Sequence, residues 1–143
     1  MSKFILAAID IAHAETVEHV LNKAAKLSKL EDANLAVVTV VPDFGMSIVG
    51  SFFKEGTEDG VMQKANEQLH EIVSSFLGED AKVKHIVKHG SAYEGILEAA
   101  HDLNASLIVM GAHRPDLRDY LLGPNAARVV RHAQASVYVV RDH

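Results

Sequence analysis

At 143 residues, 48% hydrophobic and 23% charged, the chain has the length of one ordinary domain able to bury a full core, and nothing in it calls for a second. It contains no cysteine, which excludes disulfides, thiolate zinc sites and cysteine nucleophiles. Nineteen acidic against 14 basic residues give a net charge of −5, which repels a phosphate backbone and argues against general nucleic-acid binding, and no apolar stretch approaches the roughly 20 residues of a membrane span.

The N-terminus passes from Met1-Ser2-Lys3 into an apolar run, Phe4 to Ile9, that stops at Asp10. This start carries no export signal, so the expectation is a soluble cytoplasmic protein. Val17, Val20, Leu21, Ala24 and Leu27 then recur at three- and four-residue spacing and predict a helix. A second apolar run, Leu35 to Val41, leads into a long connection, Pro42 to Gly56, that holds Phe44, Met46, Ile48, Val49, Phe52 and Phe53. It is too apolar for a solvated loop and is expected to fold over the sheet edge as additional core, the alternative being a lid or a partner surface. Thr57, with Glu58 and Asp59 behind it, can cap a second helix marked by Leu69, Ile72, Val73 and Phe76. After the run Val83 to Val87, Ser91 and Glu94 read as a capping box opening a third helix through Ile96, Leu97, Ala100 and Leu103, with Asn104 as its left-handed stop. Leu107 to Met110 is the fourth run, and Val137 to Val140 the fifth. Between them Gly123-Pro124 opens an apolar-periodic fourth helix.

The runs are short, rich in Ile and Val and largely without polar alternation, as strands buried on both faces are. Strands alternating with helices of this length imply right-handed crossovers, and the expected fold is a doubly wound, Rossmann-like α/β domain with a five-stranded parallel sheet and four helices. In such sheets ligands collect beyond the carboxyl ends of the strands, where the strand order reverses. Asp10 after the first strand and Gly111 after the fourth meet there only if those strands are neighbours. An aspartate at that position can accept hydrogen bonds from a ligand or merely turn the chain. The helix N-terminus at Gly123 offers unpaired N–H groups and positive dipole potential to a phosphate.

Catalytic signatures are missing. No serine stands in a GxSxG elbow, and no GxxxxGK[ST] phosphate loop occurs. No histidine pair stands in an HxxxH arrangement on a helix with a nearby acid: His85 and His89 alternate along a strand, while His101, His113 and His132 stand singly, so no metal site is expected.

Phe4 to Asp10, the strand end Val37 to Pro42 (VVTVVP), Lys88-His89-Gly90-Ser91 and the block Gly111 to Arg141, with AHRPD at 112–116 and YLLGPNAARVVRHA at 120–133, together resemble the universal stress protein family over essentially the whole chain. The last two segments look most like its short, single-domain bacterial F/G subgroup. The resemblance implies strand order 3-2-1-4-5, dimerisation through the last strand, Val137 to Val140, and ATP between the first and fourth strands. It places a nucleotide-binding set at Ala8, Ile9, Asp10, Val40, Val41, Gly111, Ala112, His113, Arg114, Gly123, Pro124, Asn125 and Ala126. Asp10 and Val41 would hold the adenosine end, and Gly111, Ala112, Arg114, Gly123, Asn125 and Ala126 the phosphates.

The family pattern runs Gly, two residues, Gly, nine residues, Gly, then Ser or Thr. This chain keeps Gly111, puts Arg114 where the second glycine belongs, brings Gly123 one residue early and replaces the hydroxyl residue by Pro124. Arg114 cannot follow a glycine-only backbone path, although its guanidinium can grip a phosphate bidentately. Pro124 offers neither N–H nor hydroxyl. Two functions follow as expectations: an adenine-nucleotide-binding stress protein without efficient catalysis that acts through protein contacts, or a dimeric interaction protein whose nucleotide pocket is vestigial.

Overall fold

The structure is a computed structural model and describes residues 3–11, 14–41, 58–112 and 124–141. In chain order the elements are β1 (Phe4–Ala8), α1 (Ala14–Leu30), β2 (Asn34–Val41), α2 (Glu58–Leu77), β3 (Val83–His89), α3 (Ala92–Leu103), β4 (Leu107–Gly111), α4 (Pro124–His132) and β5 (Ser136–Val140). All strand pairs are parallel, in the order β3-β2-β1-β4-β5. The five-stranded sheet, its order and, among the described residues, its four helices are those expected.

Two-residue periodicity divides the core cleanly. Ile5, Ala7, Ile9, Leu35, Val37 and Val109 face α1 and α2 and pack on Val17, Leu21, Leu69 and Val73. Leu6, Ala8, Ala36, Val38, Ile108 and Met110 face the other way, onto Ile96, Ala99, Ala126 and Val129. A strand with helices on both sides has no solvent face, which is why these runs are almost wholly apolar. Each fully buried Leu or Ile among them contributes about 1.5–3 kcal/mol of transfer free energy.

Helix ends follow local chemistry in part. Asn104 adopts φ 52°, ψ 47°, and its N–H donates to the carbonyls of Ala100 and His101, so it is the left-handed stop. Asp32 plays the same part after α1 with φ 52°. Ser91 occupies the N-cap of α3 with extended backbone, but its side chain makes no capping hydrogen bond, so the expected capping box does not form. Glu94 instead accepts a 3.1 Å hydrogen bond from the Tyr93 hydroxyl. Phe76, expected on the core face of α2, is 38% exposed because it lies in the helix's last turn, just before Gly78. The apolar connection 42–57, including the Thr57 cap, lies outside the described residues.

Candidate functional site

The crevice forms where strand order reverses, at the carboxyl ends of β1 and β4. β1 runs out first. Its last pairs are Ala8 with Val38 and Ala7 with Val109, whereas β2 continues to Val41 and β4 to Gly111. Three backbone hydrogen bonds fix which way the overhanging groups point. Ile9 N–H donates to Val38 O at 3.0 Å, so Val38 faces β1; polar groups alternate along a strand, so Val40 faces the same way, past the end of β1. Ala112 N–H donates to Val140 O at 3.0 Å, which turns Ala112 toward β5 and the backbone of Gly111 toward β1. Gly90 N–H donates to Val41 O at 2.8 Å, which turns Val41 toward β3. The backbones of Val40 and Gly111 therefore flank one gap from its two sides, with Asp10 exposed at the head of it.

The residues expected to bind nucleotide thus divide by position. Ala8 and Ile9 are buried, and their side chains serve the two opposite cores. Val40, not Val41, presents its backbone to the crevice. The Ala112 N–H is spent on β5. Ala126 is 2% exposed and packs in the core, while Asn125 is exposed, and both lie in the first turn of α4, where N–H groups have no partner within the helix. Pro124 begins that helix. His113, Arg114 and Gly123 lie outside the described residues.

Gly111 has an ordinary negative-φ backbone, and a Cβ there would meet only Val20 Cγ2, at 3.8 Å. The fold tolerates a side chain at this glycine. Gly95 is the reverse case and is missing from the expected set. A Cβ on it would stand 2.8 Å from Val40 Cγ2 and 3.2 Å from Lys88 Cβ. This glycine lets α3 close directly onto the overhanging end of β2 and so fixes the position of Val40. A glycine within an otherwise apolar-periodic helix is the signal that marks it.

Around the crevice the helices are tied by polar contacts. Lys88 Nζ donates to Glu98 Oε1 at 2.7 Å and to Asp102 Oδ2 at 3.5 Å, joining β3 to α3. The Glu98 hydrogen bond holds the Lys88 ammonium above its ordinary pKa against the opposing effect of burial. The Arg128 guanidinium lies 5.0 Å from the centre of the Tyr93 ring and links α4 to α3. A cavity of about 450 Å³ lies at the other end of the sheet, between the carboxyl ends of α3 and α4, lined by Leu97, His101, Asn104 and His132 among others. Among the described residues no three His, Asp or Glu side chains are grouped as a metal site would need, and no helix is long and apolar enough to cross a membrane.

Fold and crevice together define an open, doubly wound α/β protein whose strand order reverses beside β1. Residues 1–141 match the model of the universal stress protein family, and the chain belongs to that family. It is 29% identical to Universal stress protein G of Shigella flexneri over 99% of its own length and 100% of that protein's. It is 30% identical to Universal stress protein A homolog 1 of Coxiella burnetii, covering 96% of this chain and 95% of the relative. Among solved structures, hypothetical protein MJ0577 superposes with a TM-score of 0.77 at 25% identity, over 100% of this chain and 98% of that one. A universal stress protein from Archaeoglobus fulgidus in complex with dAMP superposes at 0.66 with 23% identity, covering 97% of each chain. A further universal stress protein was solved in complex with cAMP and shares the fold at a TM-score of 0.61, with 16% identity, 99% of this chain and 98% of that one.

Proposed function

We propose that this chain binds an adenine nucleotide, ATP in the first instance, at the β1–β4 switch point without efficient turnover, and acts as a cytoplasmic homodimer in the stress response through protein contacts. The observation that carries the reading is the pair of overhanging backbones, Val40 and Gly111, flanking the end of β1. A purine edge and a ribose need backbone donors and acceptors on one side and close approach on the other, and Asp10 stands at the same gap to accept from hydroxyl or amino groups. The phosphates are assigned to Gly111 and to the first-turn N–H groups of Asn125 and Ala126, with Gly123, Arg114 and His113 completing the set from the sequence pattern. Ala8, Ile9 and Val41 shape the walls, and Pro124 joins the set from the sequence pattern. The nucleotide complexes of the A. fulgidus protein and of the cAMP-bound relative support the ligand class.

Calorimetry with ATP, ADP, AMP and cAMP, together with mass identification of any nucleotide carried through purification, tests the proposal. Micromolar binding, abolished by Gly123→Val, is the expected result; absence of binding at millimolar concentrations of all four defeats it. One observation favours the vestigial-pocket alternative. Pro124 opens α4 without an N–H, and Ala112 has already given its own to Val140, so two donors are lost from one site. That alternative requires a melting temperature unmoved by ATP, since a ligand that binds only the native state raises it by mass action.

A further inference from the structure

On the face of β3 opposite Lys88, His85 packs against His70 of α2. The two imidazoles are stacked, with ring centres 3.6 Å apart and planes 21° from parallel. The Nε2 atom of His85 is buried with no hydrogen-bond partner among the described residues. Two neutral rings stack at that distance readily, whereas two imidazolium ions do not, and a proton placed on a buried, unpartnered nitrogen has nothing to donate to.

We propose that the His70–His85 stack is an acid-operated latch, which holds α2 against the edge strand β3 while both rings are neutral and releases it when they gain protons. The surroundings leave the pair to govern itself. α2 contributes His70, with Glu67 one turn before it and Glu71 beside it, both exposed. β2 contributes only uncharged Leu35, Val37 and Thr39 on this face, with Val37 at the register position of His85. β3 itself contributes Val83, Val87 and His89, and α3 with its acids Glu98 and Asp102 lies across the sheet, bound to Lys88. Burial lowers the His85 pKa below its ordinary 6.5, and the charge of His70 lowers it further, against the backbone hydrogen bond at Val83 that raises it. A histidine whose folded pKa is depressed leaves stability untouched above the unfolded value. It withdraws stability as pH falls from 6.5 through the folded pKa, the direction a latch opened by acid requires.

Hydrogen exchange of the whole protein, corrected for intrinsic rates, tests this at about pH 7.5 and about pH 5.5, on either side of the imidazole range. Peptides covering 58–77 and 83–89 should lose protection in acid by at least about threefold relative to those covering β1 and β4, because local openings lie below the global one in free energy. His85→Phe keeps a planar ring in the stack but cannot titrate, and should abolish the difference. Equal loss in His85→Phe, uniform loss across all strands, or no loss in the native protein would overturn the latch. The native protein also provides a test that needs no variant: the imidazole proton signals of His85 should titrate with a midpoint below 6.5. A His85 midpoint at or above 6.5 would overturn the latch equally.

Discussion

The two edges of the sheet are built on opposite plans. β3 carries Lys84, His85, Lys88 and His89 within seven residues, and its long side chains are tied to helices on both faces: Lys88 to α3, His85 to α2. β5 is five residues, Ser-Val-Tyr-Val-Val, with Tyr138 40% exposed and Val130 of the neighbouring α4 46% exposed. Lysines on an edge strand are the usual defence against pairing with another chain, and a short valine-rich edge lacks that defence. The difference leaves β5 as the edge that the proposed homodimer would use.

Backbone direction makes the comparison breakable. Ser136 N–H donates to Ser106 O, and Val140 O accepts from Ala112, so residues 136, 138 and 140 face β4 while Val137 and Val139 face outward. Val139→Pro removes one outward N–H and leaves the β4 ladder its donors, which edge strands tolerate. It is expected to halve the mass measured by light scattering at micromolar concentration with far-UV dichroism unchanged. Val87→Pro on β3, also outward-facing, should leave the mass as it is. A native protein that is already monomeric would end the comparison.

The next effect contrasts two glycines beside the crevice. Gly95→Ala drives a methyl group into Val40 at 2.8 Å, an overpacking cost of about 1–3 kcal/mol. It regains about 1 kcal/mol of helix propensity. Urea denaturation should show a net loss, accompanied by weaker nucleotide binding because Val40 shifts. Gly111→Ala, with 3.8 Å of room, should leave the denaturation midpoint almost unmoved and weaken nucleotide binding alone. If both variants lose the same stability, the assignment of Gly95 to packing and Gly111 to the ligand fails.

What the sequence disclosed follows from how local each feature is. The strands were legible because a strand buried on both faces must be an unbroken apolar run, as Leu35 to Val41 is, and Asn104 was legible because few residues accept φ > 0. Strand order came through resemblance, since spacing alone does not put β1 beside β4. The direction of a backbone carbonyl is invisible in residue types, so the choice between Val40 and Val41 waited for the bond from Gly90 to Val41. The His70–His85 stack joins a helix to a strand 15 residues on, and no periodicity connects them. Ser91 and Glu94 had the spacing of a capping box, yet the glutamate found a nearer partner in Tyr93.

The smallest expected effect tests what holds the guarded edge. Lys88 is 24% exposed and its partners are 63% and 59% exposed, so solvent screens both ion pairs, and their joint contribution is about 0.5–1 kcal/mol. Lys88→Met keeps the apolar stem over α3 and deletes only the charge. A lysine whose folded pKa is raised contributes stability that is complete below its unfolded value of 10.5 and is lost as pH rises through the folded one. The gap in denaturation free energy between native protein and Lys88→Met should therefore be constant through neutral pH and close above 10.5. The His85 contribution runs the other way, failing in acid. Within the neutral-to-alkaline range that the lysine governs, a gap that stayed open well above 10.5 would mean that the Lys88 charge is not what ties this edge to α3.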